Sequence, residues 1–366
     1  MFVGLCGGIC AGKHTVAQYL VDHHGFKELH LHLALTNPST DEHTFESVSD
    51  LVDFVTKRWR ERWVTTDIYN ESILDILVRR PFFILISVDA PVSVRWKRFQ
   101  KRLSASVPTS SASVSSTPMD LSLEEFLFRS DEHLYSTTSG LLPLISRATI
   151  RLLNTSSDLA HLYASLGKLD LTNEDRLRPS WDQYFMELAS LAAQRSNCMK
   201  RRVGCVLVRE KRVISTGYNG TPRGLKNCGE GGCPRCNEGQ GSGVGLGTCL
   251  CIHAEENALL EAGRERIREG AILYCDTCPC LTCSIKITQV GISEVVYSQS
   301  YSMDGETATI FKEAGVQLRQ FSPVCAACCS RTDSNYVNSS LLMAWFILRS
   351  KRFDNRERLR KIQDGC

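Results

Sequence analysis

The chain has 366 residues, of which 43% are hydrophobic and 23% are charged, and its formal net charge is +3. This ordinary globular composition excludes a wholly disordered chain, a collagen-like fibre and a polytopic membrane protein. Residues 349–366 hold seven Arg and Lys against three Asp and Glu, so the rest of the chain carries a net charge of −1. No nucleic-acid partner is expected, because such a partner requires a broad basic face. The length exceeds what one hydrophobic core supports, so we expect two domains.

The chain contains 17 cysteines, and 11 of them lie between Cys198 and Cys283. In a secreted protein this density would indicate disulfides, but the first residues, MFVGLCGGIC, lack the basic and apolar regions of a signal peptide. We therefore expect a cytoplasmic or nuclear protein, in which clustered cysteines stay reduced and bind metal. The longest apolar run near the C-terminus, residues 341–348, is too short to span a bilayer, so no membrane association is expected.

Residues 1–166 alternate between apolar runs and helical patterns, which is typical of an α/β domain. The pattern predicts helices over residues 14–23 and 123–135 and strands over residues 2–6, 82–88 and 148–153. Residues 104–118 are nearly all Ser, Thr, Ala, Val and Pro, which predicts a solvated insertion. The polar stretch 167–179 is predicted to be a linker to the second domain.

A glycine-rich turn joins the first predicted strand to the first predicted helix. Gly7, Gly12 and Lys13 fit the spacing G-x-x-x-x-G-K, in which backbone amides surround phosphates and the lysine reaches the outer oxygens. His14 stands where Ser or Thr would bind Mg²⁺, and Thr15 is one residue further on. The spacing predicts a phosphate loop formed by Gly7, Gly12, Lys13 and Thr15.

Two segments of this region, VGLCGGICAGKHTVAQYL and FFILISVDAPVSVRWKRFQKR, resemble dephospho-coenzyme A kinases and related nucleotide kinases. The resemblance implies a P-loop kinase-like parallel sheet over residues 1–166. Because His14 departs from the kinase pattern, we expect this domain to be catalytically degenerate. A regulatory nucleotide-binding domain and a working kinase are the alternatives.

Residues 180–322 form the second predicted domain. The patterns predict a helix over residues 181–195, a hairpin over 203–208 and 212–216, a helix from about His253, and then strands and helices in alternation over 271–275, 279–290, 294–297, 306–314 and 316–321. A loop rich in glycine and cysteine covers residues 228–247. Residues 323–366 form a basic tail that matches no domain.

His253, Cys280 and Cys283 have the residue types and the spacing of a zinc site. Cys280 and Cys283 are three residues apart, so both sulfurs lie on one side of a helical turn, and Pro279 is predicted to be the first helical residue. The positive end of that helix favours ionised thiolates. Three such ligands leave a fourth position open for a water, as in catalytic zinc sites.

Glu255 follows His253 by two residues and is the predicted proton shuttle of this site. Zinc lowers the pKa of a bound water from about 16 to about 7. The pattern H-x-E…P-C-x-x-C is the signature of the zinc-dependent nucleobase deaminases. The alternative is a structural zinc knuckle or a buried cluster of reduced cysteines, and neither would require a carboxylate at this position.

Residues 181 to about 322 closely resemble the deoxycytidylate (dCMP) deaminases, especially the fungal ones. The matching segments are WDQYFMELASLAAQRSNC, VGCVLV, GYNGTPRG, HAEENAL, TCPCLTC and SYSMDGETATIFKEAGVQLRQF. The resemblance implies an α/β/α sandwich with a mixed five-stranded sheet. It also implies the zinc-dependent reaction of dCMP with water to give dUMP and ammonia, which supplies thymidylate synthesis.

The resemblance also assigns roles to residues of this chain. It implies that His253, Cys280 and Cys283 hold the zinc, while Glu255 protonates N3 of cytosine and carries a proton to the departing amine. Three further residues are implied to bind substrate, Asn219 at the sugar and base and Tyr301 and Asp304 at the sugar-phosphate end. For Asn219, a turn residue that tolerates positive φ is the alternative.

A second set of cysteines remains after the catalytic ligands are assigned. Cys233 and Cys236 form a CxxC half-site, and some relatives carry a structural zinc on cysteines at the positions of Cys198 and Cys228. The companion histidines of those relatives are missing here. We therefore predict a second, structural zinc on Cys198, Cys228, Cys233 and Cys236, with Cys249 as an alternative ligand.

The resemblance further implies a homo-oligomer, a hexamer in the family, that dCTP with Mg²⁺ activates and dTTP inhibits. Two other enzymes share parts of the metal pattern. A tRNA adenosine deaminase would need a basic groove for RNA, and a free cytidine deaminase typically has cysteine in place of His253. A regulatory nucleotide-binding protein without turnover is the remaining alternative, and the intact Glu255 argues against it.

Overall fold

A computed structural model describes residues 1–32, 42–105, 122–156, 158–239, 241, 244–300 and 304–322. The described residues form two compact units that meet in sequence between Leu177 and Arg178. The basic tail and all but the first two residues of the predicted insertion 104–118 lie outside the described residues. The stretch predicted as a linker contains the end of a helix, at Leu169, and a one-turn 3-10 helix at Glu174–Arg176.

The first unit alternates strands and helices. Its described elements are β1 (Phe2–Gly7), α1 (Lys13–His24), β2 (Lys27–Glu28), β3 (His30–Leu31), β4 (Thr44–Phe45), α2 (Val48–Lys57), β5 (Trp63–Thr65), α3 (Glu71–Leu77), β6 (Phe83–Asp89), α4 (Val92–Ala105), α5 (Leu123–Tyr135), α6 (Leu142–Ser146), β7 (Ile150–Leu153) and α7 (Leu159–Leu169).

Within the described residues, five strands of this unit form one parallel sheet in the order β2-β5-β1-β6-β7. Successive residues of β1 enter opposite cores: Val3 packs in one apolar cluster and Phe2 in the other. Every residue of β1 is buried, because helices cover both faces of an all-parallel sheet. The parallel sheet expected for residues 1–166 is therefore confirmed.

The second unit begins with a helix and continues with a hairpin and alternating elements. Its described elements are α8 (Trp181–Ala193), β8 (Gly204–Arg209), β9 (Arg212–Tyr218), α9 (Pro234–Asn237), α10 (Ala254–Ala262), β10 (Ile272–Thr277), α11 (Leu281–Val290), β11 (Glu294–Gln299), α12 (Asp304–Glu313) and β12 (Gln317–Gln320).

The described strands of this unit form a five-stranded sheet in the order β12-β11-β10-β8-β9. The β12-β11 and β11-β10 pairs are parallel, and the β10-β8 and β8-β9 pairs are antiparallel. The hairpin turns at Glu210 and Lys211, which both have positive φ, as a two-residue turn between right-twisted strands requires. The mixed sheet expected for this domain is confirmed.

Helices cover both faces of the mixed sheet. On one face Phe185 and Met186 of α8 pack against Val206 and Val296. On the other face residues of α10, α11 and α12 pack against Leu207 and neighbouring strand residues. None of the helices in the described ranges combines the length and the apolar character that a bilayer crossing requires.

Candidate active site

The first half of the site stands at the start of α10. His253 is the residue that caps this helix, and Glu255 lies in its first turn with only 4% of its surface exposed. The helix packs so closely on β9 that a Cβ atom at Gly217 would collide with the carbonyl oxygen of Ala254. The sheet therefore fixes the depth at which the Glu255 carboxyl lies.

The second half stands at the start of α11, beside α10. Cys280 is the N-cap of α11 and Cys283 lies in its first turn. Pro279 is therefore not the first helical residue, as the sequence pattern predicted: it precedes the cap, and the helix begins at Leu281. The expected consequence is unchanged, because both sulfurs still lie at the positive end of a helix.

The three predicted metal ligands meet. Nδ1 of His253 lies 3.3 Å from Sγ of Cys280 and 3.4 Å from Sγ of Cys283, and all three donor atoms lie within 4.8 Å of one another. One imidazole nitrogen and two thiolates are a donor set that zinc binds tetrahedrally. The residues therefore fit a zinc ion, with the fourth ligand position left to a non-protein group.

Burial and charge shift the acidity of this site. Burial raises the pKa of Glu255 to about 7, with nearby His253 opposing the shift. Cys283 and His253 stabilise the Cys280 thiolate and lower its pKa to about 3, although burial opposes the shift. Ionised Cys280 in turn raises the pKa of Cys283. A carboxyl with a pKa near neutrality can both accept and release a proton at physiological pH.

A cavity of about 570 Å³ opens onto these residues. His253, Glu255 and Cys280 line it, together with the basic residues Lys200 and Arg201. Sequence reasoning missed these two cations, which follow Cys198 in the run Cys-Met-Lys-Arg-Arg, because surface lysines and arginines carry no pattern of their own. Both side chains are exposed, and they contribute positive charge to the wall of the cavity, as does the buried Arg235.

Asn219 lines the cavity, and its side-chain amide already forms hydrogen bonds with neighbouring protein groups. Its Oδ1 accepts hydrogen bonds from Ser196 Oγ (2.7 Å) and from Val203 N (2.8 Å), and its Nδ2 donates to the carbonyl oxygen of Arg201 (2.7 Å). Its φ is not positive, so the alternative of a turn residue in the left-handed region is wrong. The amide has a second N–H group, which can donate a hydrogen bond to a ligand in the cavity.

The other two predicted substrate residues are placed less fully. Tyr301 lies outside the described residues. Asp304 begins α12, and its side chain is not described. The assignment of both residues to the substrate therefore stays a prediction.

The cysteines predicted for a second zinc divide between two groups. Cys198, Cys228 and Cys236 lie together, and their fourth neighbour is Cys251. Cys233 belongs to another group, which includes Cys249. Cys251 is not among the predicted ligands, because the spacing of the sequence gives no reason to choose it.

The predicted phosphate loop of the first unit lies between β1 and α1. Gly7 ends β1, Gly12 has a φ of 108°, and Lys13 and Thr15 lie in the first turn of α1. The Lys13 ammonium donates a hydrogen bond to the carbonyl oxygen of Thr66 at 3.1 Å. His14, in the position of the expected Mg²⁺ ligand, is exposed.

The fold and the site define a class of zinc-dependent deaminase. Residues 179–299 match the family model described as the cytidine and deoxycytidylate deaminase zinc-binding region. This range contains both halves of the site and the whole cysteine-rich loop.

Similar proteins narrow the class further. The chain is 51% identical over 326 residues to the deoxycytidylate deaminase of Schizosaccharomyces pombe, covering 88% of this chain and 97% of that protein. It is 46% identical over 333 residues to the deoxycytidylate deaminase of Saccharomyces cerevisiae, with the same coverage. The chain belongs to the deoxycytidylate deaminase family. Because the fungal matches are so long, they include most of the first unit.

Shorter relatives match a smaller share of this chain. The human deoxycytidylate deaminase is 33% identical over 151 residues, which are 40% of this chain and 82% of that protein. A solved dCMP deaminase from the cyanophage S-TIM5, in complex with dCMP and dUMP, is 28% identical and covers 39% of this chain and 98% of its own. The TM-score of this comparison is 0.33.

Proposed function

We propose that this protein hydrolyses dCMP to dUMP and ammonia and so supplies dUMP for thymidylate synthesis. The observation that carries this function is the buried Glu255 carboxyl in a cavity beside His253, Cys280 and Cys283. Membership of the deoxycytidylate deaminase family supports the same substrate.

His253, Cys280 and Cys283 would hold the zinc. When bound, the metal supplies a Lewis acid that activates a water at neutral pH. Glu255 takes the proton that this water loses and delivers it to N3 of the cytosine ring. Once the oxygen of the water has bonded to C4, the same carboxylate takes the remaining proton of this C4 hydroxyl and passes it to the amino group. The bond between C4 and the amine then breaks and the C4 carbonyl forms, so one water is consumed and one ammonia is released. A pKa of about 7 suits a group that must accept and donate in one turnover.

The phosphate of dCMP is proposed to bind beside two exposed cations of the cavity wall. Lys200 and Arg201 line the cavity there, and Arg201 is held by a hydrogen bond to Gln299 Oε1 at 2.9 Å. A nucleotide carries two negative charges that a nucleoside lacks, so these cations favour dCMP over deoxycytidine. Asn219, Tyr301 and Asp304 remain proposed contacts to the sugar, base and phosphate.

Replacement of Glu255 tests the proton transfer. Glu255→Gln keeps the size of the side chain and replaces the carboxyl by an amide that neither takes up nor releases a proton near neutral pH, so we expect kcat for dCMP to fall by about 10²–10⁴-fold with zinc retained. The matched control is Glu256→Gln, one residue further along α10, where the carboxylate pairs with Lys286 at 2.6 Å outside the cavity. Equal losses in the two variants would contradict the role of Glu255.

Regulation and assembly belong to the same proposal by family resemblance. We expect a homo-hexamer that dCTP with Mg²⁺ activates and dTTP inhibits, in the cytoplasm or the nucleus. Sedimentation with and without these nucleotides tests the assembly, and dCMP saturation curves test the effectors. A monomer with hyperbolic curves unaffected by either nucleotide would contradict it.

The first unit is proposed to be a P-loop kinase-like domain that has lost phosphoryl transfer. A glycine turn follows the central strand of a parallel sheet, which is where open α/β sheets bind ligands, while His14 replaces the metal-binding hydroxyl. We expect no transfer of the ATP γ-phosphate by the full chain. Phosphotransfer that Lys13→Ala abolishes would contradict the degenerate assignment.

A further inference from the structure

Six cysteines of the second unit lie in one cluster, which we call the six-cysteine group. Its members come from the end of the α8 segment, from the loop around α9 and from the segment before α10; they are Cys198, Cys228, Cys233, Cys236, Cys249 and Cys251. Cys249 is half-buried and the others are buried, and all six are free thiols. Packing alone gives reduced cysteines in a core no reason to contact one another. Six free thiols in one cluster therefore indicate a chemical role.

The sulfurs form two overlapping quartets. In the first quartet Cys198 and Cys228 lie with Cys236 and Cys251, and in the second Cys233 and Cys249 lie with the same two residues. Within each quartet all sulfurs lie within 4.8 Å of one another. Cys236 and Cys251 therefore belong to both quartets and stand between them.

The separations between sulfurs match the edges of metal tetrahedra. Sγ of Cys236 lies 3.8 Å from that of Cys198 and 3.9 Å from those of Cys249 and Cys251, and Cys233 and Cys249 are also 3.9 Å apart. A tetrahedral zinc with Zn–S bonds of about 2.3 Å places its sulfurs about 3.8 Å apart. A disulfide would need sulfurs about 2 Å apart, so this cluster has the spacing of ligands and not of cystines.

Hydrogen-bond donors point at several of these sulfurs. The backbone N–H groups of Met199 and Leu250 lie 3.4 Å from the sulfurs of Cys228 and Cys233 respectively. The guanidinium of the buried Arg235 lies 3.6 Å from the sulfur of Cys249. Donors of this kind favour thiolates and orient them, as the outer shell of a metal site does.

We propose that the six-cysteine group binds two zinc ions in one cluster, with the sulfurs of Cys236 and Cys251 shared between them. Two separate tetrahedral sites would need eight sulfurs, whereas sharing two sulfurs lets six complete both. A single ion would satisfy one quartet and leave two thiols of the other without a metal. The proposal thus replaces the single four-cysteine site expected from the sequence.

The cluster would stiffen one wall of the catalytic cavity. Cys198, Cys236, Cys249 and Cys251 all line that cavity, and Cys251 is two residues from His253. Ile252, between them, pairs with Gly220 in an isolated antiparallel bridge. Metal on Cys251 would therefore fix the segment that enters α10 and with it the position of His253.

Metal counting on the unmodified protein tests the proposal. Full-length protein purified with zinc should carry about three zinc ions per chain by native mass spectrometry and elemental analysis, one catalytic and two in the cluster. Cys280→Ser should lower the count by one, and Cys278→Ser, which alters a cysteine outside both groups, should leave it unchanged. A count of two in the unmodified protein, or a disulfide among the six cysteines, would overturn the proposal.

Sharing of the two sulfurs has its own readout. In protein loaded with ¹¹³Cd, NMR should show two thiolate-bound signals besides the catalytic one, and these two should be scalar-coupled through the shared sulfurs. Cys236→Ser should remove both signals while the catalytic signal persists. Two uncoupled signals, or a single one, in the unmodified protein would overturn the shared cluster even if the variant fails to fold.

Discussion

Members of two groups of proposed metal ligands line the same cavity, and the two groups differ in how many ligands the protein supplies. The catalytic group has His253, Cys280 and Cys283, so a tetrahedral ion there keeps one position for water. The six-cysteine group supplies four sulfurs to each of its quartets and leaves no position open. The number of protein ligands, and not the presence of cysteine, separates a reactive metal from a structural one.

The two groups also differ in what holds them in place. His253 and Cys280 cap helices that pack on a sheet, and an apolar core that includes Ala258 and Ile287 fixes those helices. The six-cysteine group sits on loops whose described regular elements are one-turn helices such as Pro234–Asn237. We infer that metal organises the loop, whereas the fold organises the catalytic group.

The largest effects should come from removing one cysteine from each group. Cys280→Ser should abolish dCMP turnover with little change in the free energy of unfolding. Cys236→Ser should lower that free energy by several kcal/mol, because structural zinc contributes on the order of 10 kcal/mol to small zinc domains. Thermal unfolding and activity of both variants measure the contrast. If Cys280→Ser were the more destabilising substitution, the division of roles would be wrong.

A smaller effect is expected from removing a proposed phosphate contact of the cavity. Arg201→Gln removes a charge-assisted contact worth about 1.5–3 kcal/mol, so KM for dCMP should rise about 10- to 100-fold. Turnover of deoxycytidine should not change, since it has no phosphate. The matched control is Arg202→Gln, at an exposed neighbour that does not line the cavity. Equal losses with dCMP and deoxycytidine would contradict phosphate binding by Arg201.

The smallest effect concerns an ion pair between α8 and β12. Arg319 donates to Asp182 at 2.6 Å and lowers the pKa of that carboxyl below its ordinary value of 3.8. A lowered folded pKa stabilises the protein above the unfolded value, and this stabilisation is lost as pH falls through the folded value. Both side chains are about one-third exposed, so the contribution at pH 7 is about 1 kcal/mol or less.

Asp182→Asn should therefore lower the urea midpoint at pH 7 and have progressively less effect as the pH falls below about 3.8. Glu313→Gln, at an exposed carboxylate near the end of α12, is the control for the general loss of a charge. An effect of Asp182→Asn that grows toward acid pH would contradict the ion pair as its cause.

Elements with strong periodicity could be predicted from the sequence. The helix predicted over residues 123–135 has those bounds in the structure, and the strand predicted over residues 82–88 is shifted by one residue. By contrast, β5 was missed. Its three residues, Trp63–Thr65, are too few for a period to be read, although β5 pairs with β1 near the middle of the parallel sheet.

The candidate site likewise contains residues that could be predicted from the sequence and residues that could not. His253, Glu255, Cys280 and Cys283 could be found because each short motif places its residues on one helical turn, so local spacing determines their geometry. The proposed ligand partners of Cys236 could not, because Cys198 and Cys251 are 38 and 15 positions away from it along the chain, and the intervening segments include the β8-β9 hairpin as well as the loop around α9. Sequence spacing does not specify how such a loop closes.

The central claim is that this cavity deaminates a deoxyribonucleotide, and ammonia release by the full-length protein tests it most directly. The assay compares dCMP, CMP, deoxycytidine and a tRNA, with zinc content measured on the same sample. The account predicts prompt release from dCMP, weak release from the other two pyrimidines and none from tRNA. Protein that carries its catalytic zinc and leaves dCMP unchanged would contradict the account.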